Sequence, residues 1–159
     1  MTVMLTDERI YELLKEPKWV KNPKAREVPD AKHLRRDYKV SSETGEEFTV
    51  FTRQHQEMLD DFSAGLIWHP TTGDSVILMR CNGSSHRHTN HLEGSEFAAG
   101  NCHVHMATER YIDSGRSPEH FAQVTVSYST LEGALHHLCK EGNIDGLDTS
   151  PELPDMFRQ

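Results

Sequence analysis

Apolar residues first recur at helical spacing near the start of the chain, at Ile10, Leu13 and Leu14. Thr6 precedes them as a cap, and Asp7 and Glu8 occupy the first turn, where the helix dipole favours acids. Pro17 stops this helix. The pattern then lapses: Pro23 and Pro29 punctuate a lysine- and arginine-rich stretch up to residue 33, which reads as an irregular basic connector. Alternation of apolar and polar positions follows. "RRDYKVSS" and "EEFTVFTRQ" flank "ETG", a hairpin with Gly45 in its turn. "SAGLIWH" and "DSVILMRC" flank "PTTG", a second hairpin. Asn82-Gly83 is the strongest two-residue turn signal and predicts that "SSHRHTN" folds back onto "VILMRC". "NCHVHMATE" and "FAQVTVSY" are the next strands.

Helical spacing returns at Leu131, Leu135 and Leu138, with Ser129 and Glu132 as a capping box and Gly142 as the stop. Residues 143–159 are acidic, contain two prolines and read as a surface tail. About six strands adjacent in sequence, with one helix at each end, predict a single α+β domain over residues 1–159 built on an antiparallel sheet.

Composition narrows the function classes. The net charge is −8, but residues 1–39 hold ten Lys/Arg against seven Asp/Glu, whereas residues 40–159 hold seven against eighteen. An acidic domain binds a phosphate backbone poorly except through local basic patches. No apolar run approaches the ~18 residues of a membrane span, and the first residues do not read as a secretory signal. Three cysteines without framework spacing fit a reduced, cytoplasmic protein.

The candidate chemistry lies in "NGSSHRHTNHLEGSEFAAGNCHVHM", which holds His86, His88, His91, His103 and His105. On a strand, Cys102, Val104 and Met106 face the core, and His103 and His105 share the open face, about 7 Å apart. His86 and His88 share a face of the expected hairpin. On this reading Val104→Asp unfolds the protein, whereas His103→Ala, as a surface change, costs about 1 kcal/mol or less.

Two chemistries fit such a surface. In metal-free acid–base cleavage of RNA, one histidine of a pair is base and the other acid, and an arginine, with Arg80, Arg87 and Arg110 nearby, stabilises the phosphorane. The catalytic candidates are His86, Arg87, His88, His103 and His105, with no cofactor. The alternative is a site for zinc or another divalent transition metal.

His86-x-His88, Glu93 and Gly100 resemble the first metal-binding motif of cupins. That resemblance implies His86, His88 and Glu93 as ligands, completed by a later histidine such as His103. Arg80 stands where the cupin motif has glycine, and the second cupin motif is missing. "MRCNGSSHRHTN … CHVHMATERY", within residues 75–140, is similar to small prokaryotic and phage proteins, among them TumE-like proteins of toxin–antitoxin pairs. The resemblance implies a toxin-type or defence-associated protein, with an antitoxin as protein partner and His86, Arg87, His88, His103 and His105 at the matching positions; RNA as target is the expectation of the acid–base reading of the histidines. A third, non-enzymatic reading has the histidines lining an interface.

Overall fold

The computed structural model describes residues 5–152. The first helix, α1 (Asp7–Lys15), forms as its caps dictate: the Thr6 hydroxyl accepts from the Arg9 amide, and Ile10, Leu13 and Leu14 are buried. β1 (Lys18–Val20) and β2 (Val28–Asp30) follow, where the pattern predicts only a connector. They are three-residue strands, too short to show alternation; β1 pairs with the far end of β3, and β2 pairs with its start across a tight turn at Ala31 and Lys32. β3 (His33–Ser42) and β4 (Glu47–His55) form the expected hairpin, with Gly45 at φ +88°. β5 (Phe62–His69) and β6 (Val76–Asn82) form the second.

The Asn82-Gly83 turn does not form. Gly83 donates its amide to Phe62 O, and a Cβ there would lie 2.1 Å from Asp60 O. The glycine is needed for close approach to the β4–β5 connection, so the chain runs on past β6 rather than folding back. β7 (His88–Asn90) and β8 (Ser95–Phe97) pair with each other in a separate two-stranded ribbon, with Gly94 at φ +71° in its turn. β6 pairs instead with β9 (His103–Met106).

A short helix, α2 (Glu109–Asp113), is then tied to the start of α1: Asp7 N donates to Glu109 Oε1, and Glu109 N to Asp7 Oδ1. β10 (Ala122–Val124), α3 (Leu131–Glu141) and β11 (Ile144–Asp145) complete the order. The main sheet runs β10-β9-β6-β5-β4-β3-β1-β11, with β2 beside β3. All its pairings are antiparallel except β1 with β11. The expected α+β class with a helix near each end is therefore what forms, with more strands than six.

The Met79, Cys81, Val104 and Met106 face of the sheet turns toward α1 and α3, where Leu13, Leu14, Val50, Leu66, Leu78 and Leu138 build the core. Two terminal expectations change. Thr130, not Ser129, caps α3; the Ser129 and Thr130 amides both donate to Glu152 Oε1. Residues 143–152 therefore belong to the fold, through β11 and Glu152, and the remainder of the predicted tail lies outside the described residues.

Lys18 departs furthest from what an irregular basic connector implies, a lysine in solvent. Its side chain is 1% exposed, and Nζ donates to Leu14 O (2.8 Å), Glu16 O (3.0 Å) and Gly142 O (2.7 Å). These carbonyls end α1 and α3, which leave acceptors unpaired by helix geometry. Burial pushes the Lys18 pKa down to about 8, which leaves an ammonium at neutral pH.

Candidate functional site

Register places Arg80 opposite His105 and Asn82 opposite His103, all four on the sheet face away from α1 and α3. The alternation read from "CHVHM" is correct, but the imidazole face is not open: His103 is 3% exposed and His105 4%. The β7–β8 ribbon covers it, with the Phe97 ring 5.1 Å from His103. Val104, expected in the core, is only half-buried beside Met79, Met106 and Leu14. The expected order of costs at His103 and Val104 loses its basis, because the nearly inaccessible side chain is the histidine.

Four rings cluster under the ribbon. His88 lies 4.8 Å from His105, 6.0 Å from His103 and 5.0 Å from His120 by ring centres, and His103 lies 5.0 Å from His105. His120, from the connection before β10, completes the cluster, with Tyr111 on its other side at 5.1 Å. Sequence reasoning missed His120; nothing in its spacing ties it to the H-x-H pairs, and it is brought in by tertiary folding. His91 meets the cluster's rim through His120. His86 and Arg87 are exposed in the segment between β6 and β7 and do not join it. Glu93 accepts hydrogen bonds from the Tyr111 hydroxyl and Arg110 Nε, and so anchors the ribbon's turn to α2 rather than facing the histidines.

Each clustered ring holds one nitrogen against an oxygen acceptor. His105 Nδ1 meets Glu119 O at 2.9 Å, His103 Nδ1 meets Asn101 O at 3.3 Å, and His120 Nε2 meets Thr89 O at 3.0 Å. A carbonyl can only accept, so these nitrogens carry the protons. His88 Nε2 meets Asn90 Oδ1 at 3.0 Å. The Asn90 amide is itself oriented, because Oδ1 accepts from Ala122 N and Nδ2 donates to Ala122 O. In the neutral ring the opposite nitrogen then keeps its lone pair: Nε2 of His103 and His105, Nδ1 of His88 and His120; on His103 that nitrogen accepts a long hydrogen bond from Asn82 Nδ2 at 3.5 Å. Protonation is disfavoured. Burial, and then the Arg80 charge, drives the His105 pKa down to about 3, and burial is the main cause lowering His88 and His103.

The Asn90 side chain acts as a one-residue strand against β10, which fixes the ribbon over the cluster. Asn90→Ala should cost about 2 kcal/mol, since it leaves the Ala122 amide and carbonyl without these partners. Urea unfolding measures the loss, and hydrogen exchange should accelerate at residues 88–97 first. Unchanged exchange there would show that the ribbon is held by something else.

Among the described residues, no group of three or more His, Cys, Asp or Glu side chains is placed so that it could hold a metal ion as it stands. No described helix is long and apolar enough to cross a membrane. No family model, curated protein or solved structure matches the chain.

Proposed function

We propose that His88, His103 and His105 form a binding centre for a divalent transition metal such as zinc. The observation that carries this reading is the hydrogen bonding of the rings: each has one nitrogen donating to a fixed oxygen, which makes the other a lone-pair donor, met on His103 only by Asn82 Nδ2 at 3.5 Å. Metal-ligating histidines are held in this way, by carbonyl or amide oxygens behind them. Spacing agrees. Three imidazoles bound about 2.0 Å from a tetrahedral zinc have ring centres roughly 5 Å apart. The three observed separations are 4.8, 5.0 and 6.0 Å. Binding one ion would require the rings to turn from their present orientations and His103 Nε2 to leave Asn82 Nδ2. Three protein ligands with an open position match catalytic zinc sites, where the ion lowers the pKa of a bound water to about 7. Acid–base cleavage of RNA by these histidines would need an imidazolium beside a neutral ring, and burial biases all three toward neutrality.

The ligand set differs from the cupin-like one, since His105 replaces His86 and Glu93. Calorimetric titration of untagged, metal-free protein with zinc should give one ion per chain. His88→Ala and His105→Ala should each weaken binding by at least 10–100-fold, roughly what loss of an outer partner alone can cost. His86→Ala and Glu93→Gln should bind as the parent does. Absence of zinc uptake by the folded parent would sink the proposal, and equal loss in His86→Ala would return the ligand set to the H-x-H motif.

A further inference from the structure

Arg80 lies on the same face as the clustered histidines, in register with His105 on the neighbouring strand. Its guanidinium makes no hydrogen bond to any described residue. The nearest carboxylate, Glu119, stands 3.8 Å away, beyond hydrogen-bond distance. Arg80 Nε is fully buried without a partner, and so is the Asn82 Oδ1 atom two residues along the same strand. These are two of the four buried side-chain polar atoms left unpaired among the described residues, so the unmet polarity concentrates beside the cluster. Arg9, Arg35, Arg53 and Arg110 each donate to a carboxylate at 2.6–3.3 Å, and Arg36, whose Nε is likewise buried and unpaired, engages the Tyr38 side chain and stands 3.7 Å from Glu27. An arginine cannot shed its charge to relieve burial, and its planar fork fits the oxygens of a phosphate or carboxylate. The Arg80 side chain remains 28% exposed, so solvent reaches part of it.

We infer that Arg80 is the anchor for an anionic oxygen group, phosphoryl or carboxylate, on the ligand brought to the histidine cluster, with Glu119 as a competing carboxylate that the anion displaces. The position of the ligand over the histidines rests on the metal-centre reading; the anion site itself does not. A phosphoryl or carboxylate group held here would place the rest of the molecule beside His105. Glu119 would then be a positioning residue twice over: its backbone carbonyl orients His105, and its side chain screens Arg80.

The experiment uses inorganic phosphate, with acetate in a parallel series, on metal-free full-length protein. Binding is followed by calorimetry and by the ¹H–¹⁵N resonance of Arg80 Nε. Phosphate should shift that resonance. Arg80→Met should weaken binding tenfold or more with the melting temperature intact, Arg80→Lys should retain part of it, and Glu119→Gln should tighten it several-fold. Glu119→Gln keeps the test valid should Arg80→Met fold poorly. A stronger response to acetate than to phosphate assigns the site to carboxylates. Phosphate binding that is the same in Arg80→Met as in the parent, or an unmoved Nε resonance, overturns the inference. Zinc titration of the same samples separates the two readings. Zinc uptake with Arg80-independent phosphate binding removes the anion site and leaves the metal centre. Arg80-dependent phosphate binding without zinc uptake removes the metal centre, keeps the anion site and returns the histidines to metal-free chemistry on phosphodiesters.

Discussion

Lys18→Met should destabilise the protein by about 3 kcal/mol, since it removes three hydrogen bonds from a charged donor, each worth about 1.5–3 kcal/mol, and is partly offset by the ammonium no longer being desolvated. The chain length of the side chain is kept, so the loss is the ammonium. Three carbonyls, Leu14 O, Glu16 O and Gly142 O, then stay at the ends of two helices with no donor in reach of solvent. The methionine would still pack over the Phe48 ring, from which Nζ now stands 5.1 Å. Lys18→Arg should also be destabilising, because a planar fork cannot direct three donors into a site shaped for a compact ammonium. Urea denaturation of parent and variants decides the matter. A cost of about 1 kcal/mol or less for Lys18→Met would mean that water replaces the ammonium and that the two helix ends are not joined through this residue.

Lys18 also marks the limit of what local sequence signals reach. α1, α3 and the two hairpins of β3–β4 and β5–β6 are written in caps, turns and alternation, which act within a few residues, and they form as read except that Thr130 takes the cap of α3 expected at Ser129. β1, β2 and β11 are two or three residues long and exist because longer strands or each other offer pairing partners. No periodicity can announce a strand of that length. A lysine between prolines likewise reads as solvated, since the carbonyl it needs from Gly142 is supplied from the far end of the chain.

Legibility at the histidine site follows the same division. Strand alternation placed His103 and His105 on one face and the cysteine and valine on the other, and that local geometry holds. Covering of that face by the β7–β8 ribbon depends on Asn90 reaching Ala122, on Glu93 reaching Tyr111 and on Gly83 packing against Asp60. All three are tertiary contacts. The Asn-Gly pair carried a turn signal of the right chemistry, but the glycine is used for close packing instead. His88 reaches the H-x-H strand, as the sequence reading required, by a different route: from a ribbon lying on the sheet rather than from a strand paired with β6.

Acidification should destabilise the metal-free protein before its carboxylates titrate. In the unfolded chain a histidine takes a proton near its ordinary value of about 6.5. In the folded protein His105 does so only at about 3, and His88 and His103 are shifted in the same direction by burial. Below pH 6.5 the unfolded state therefore binds more protons than the folded state, and stability falls as pH falls, by up to about 1.4 kcal/mol per pH unit for each such histidine. The contribution is fully present above pH 6.5 and is lost progressively toward the folded value. Between pH 6.5 and 5, His105 alone accounts for about 1.5 kcal/mol, and His88, His103 and, outside the cluster, His137 add to the loss in the same direction. The lowered carboxylates Glu47, Glu93 and Glu152 lose their contributions at lower pH, so this window isolates the imidazoles. Urea unfolding at successive pH values in the presence of a chelator measures the slope, and His105→Phe should make it shallower by about one proton. A parent slope near zero over this window would mean that the cluster accepts protons in the folded state. That would remove the neutral imidazoles on which metal binding depends and favour an imidazolium available for acid–base work.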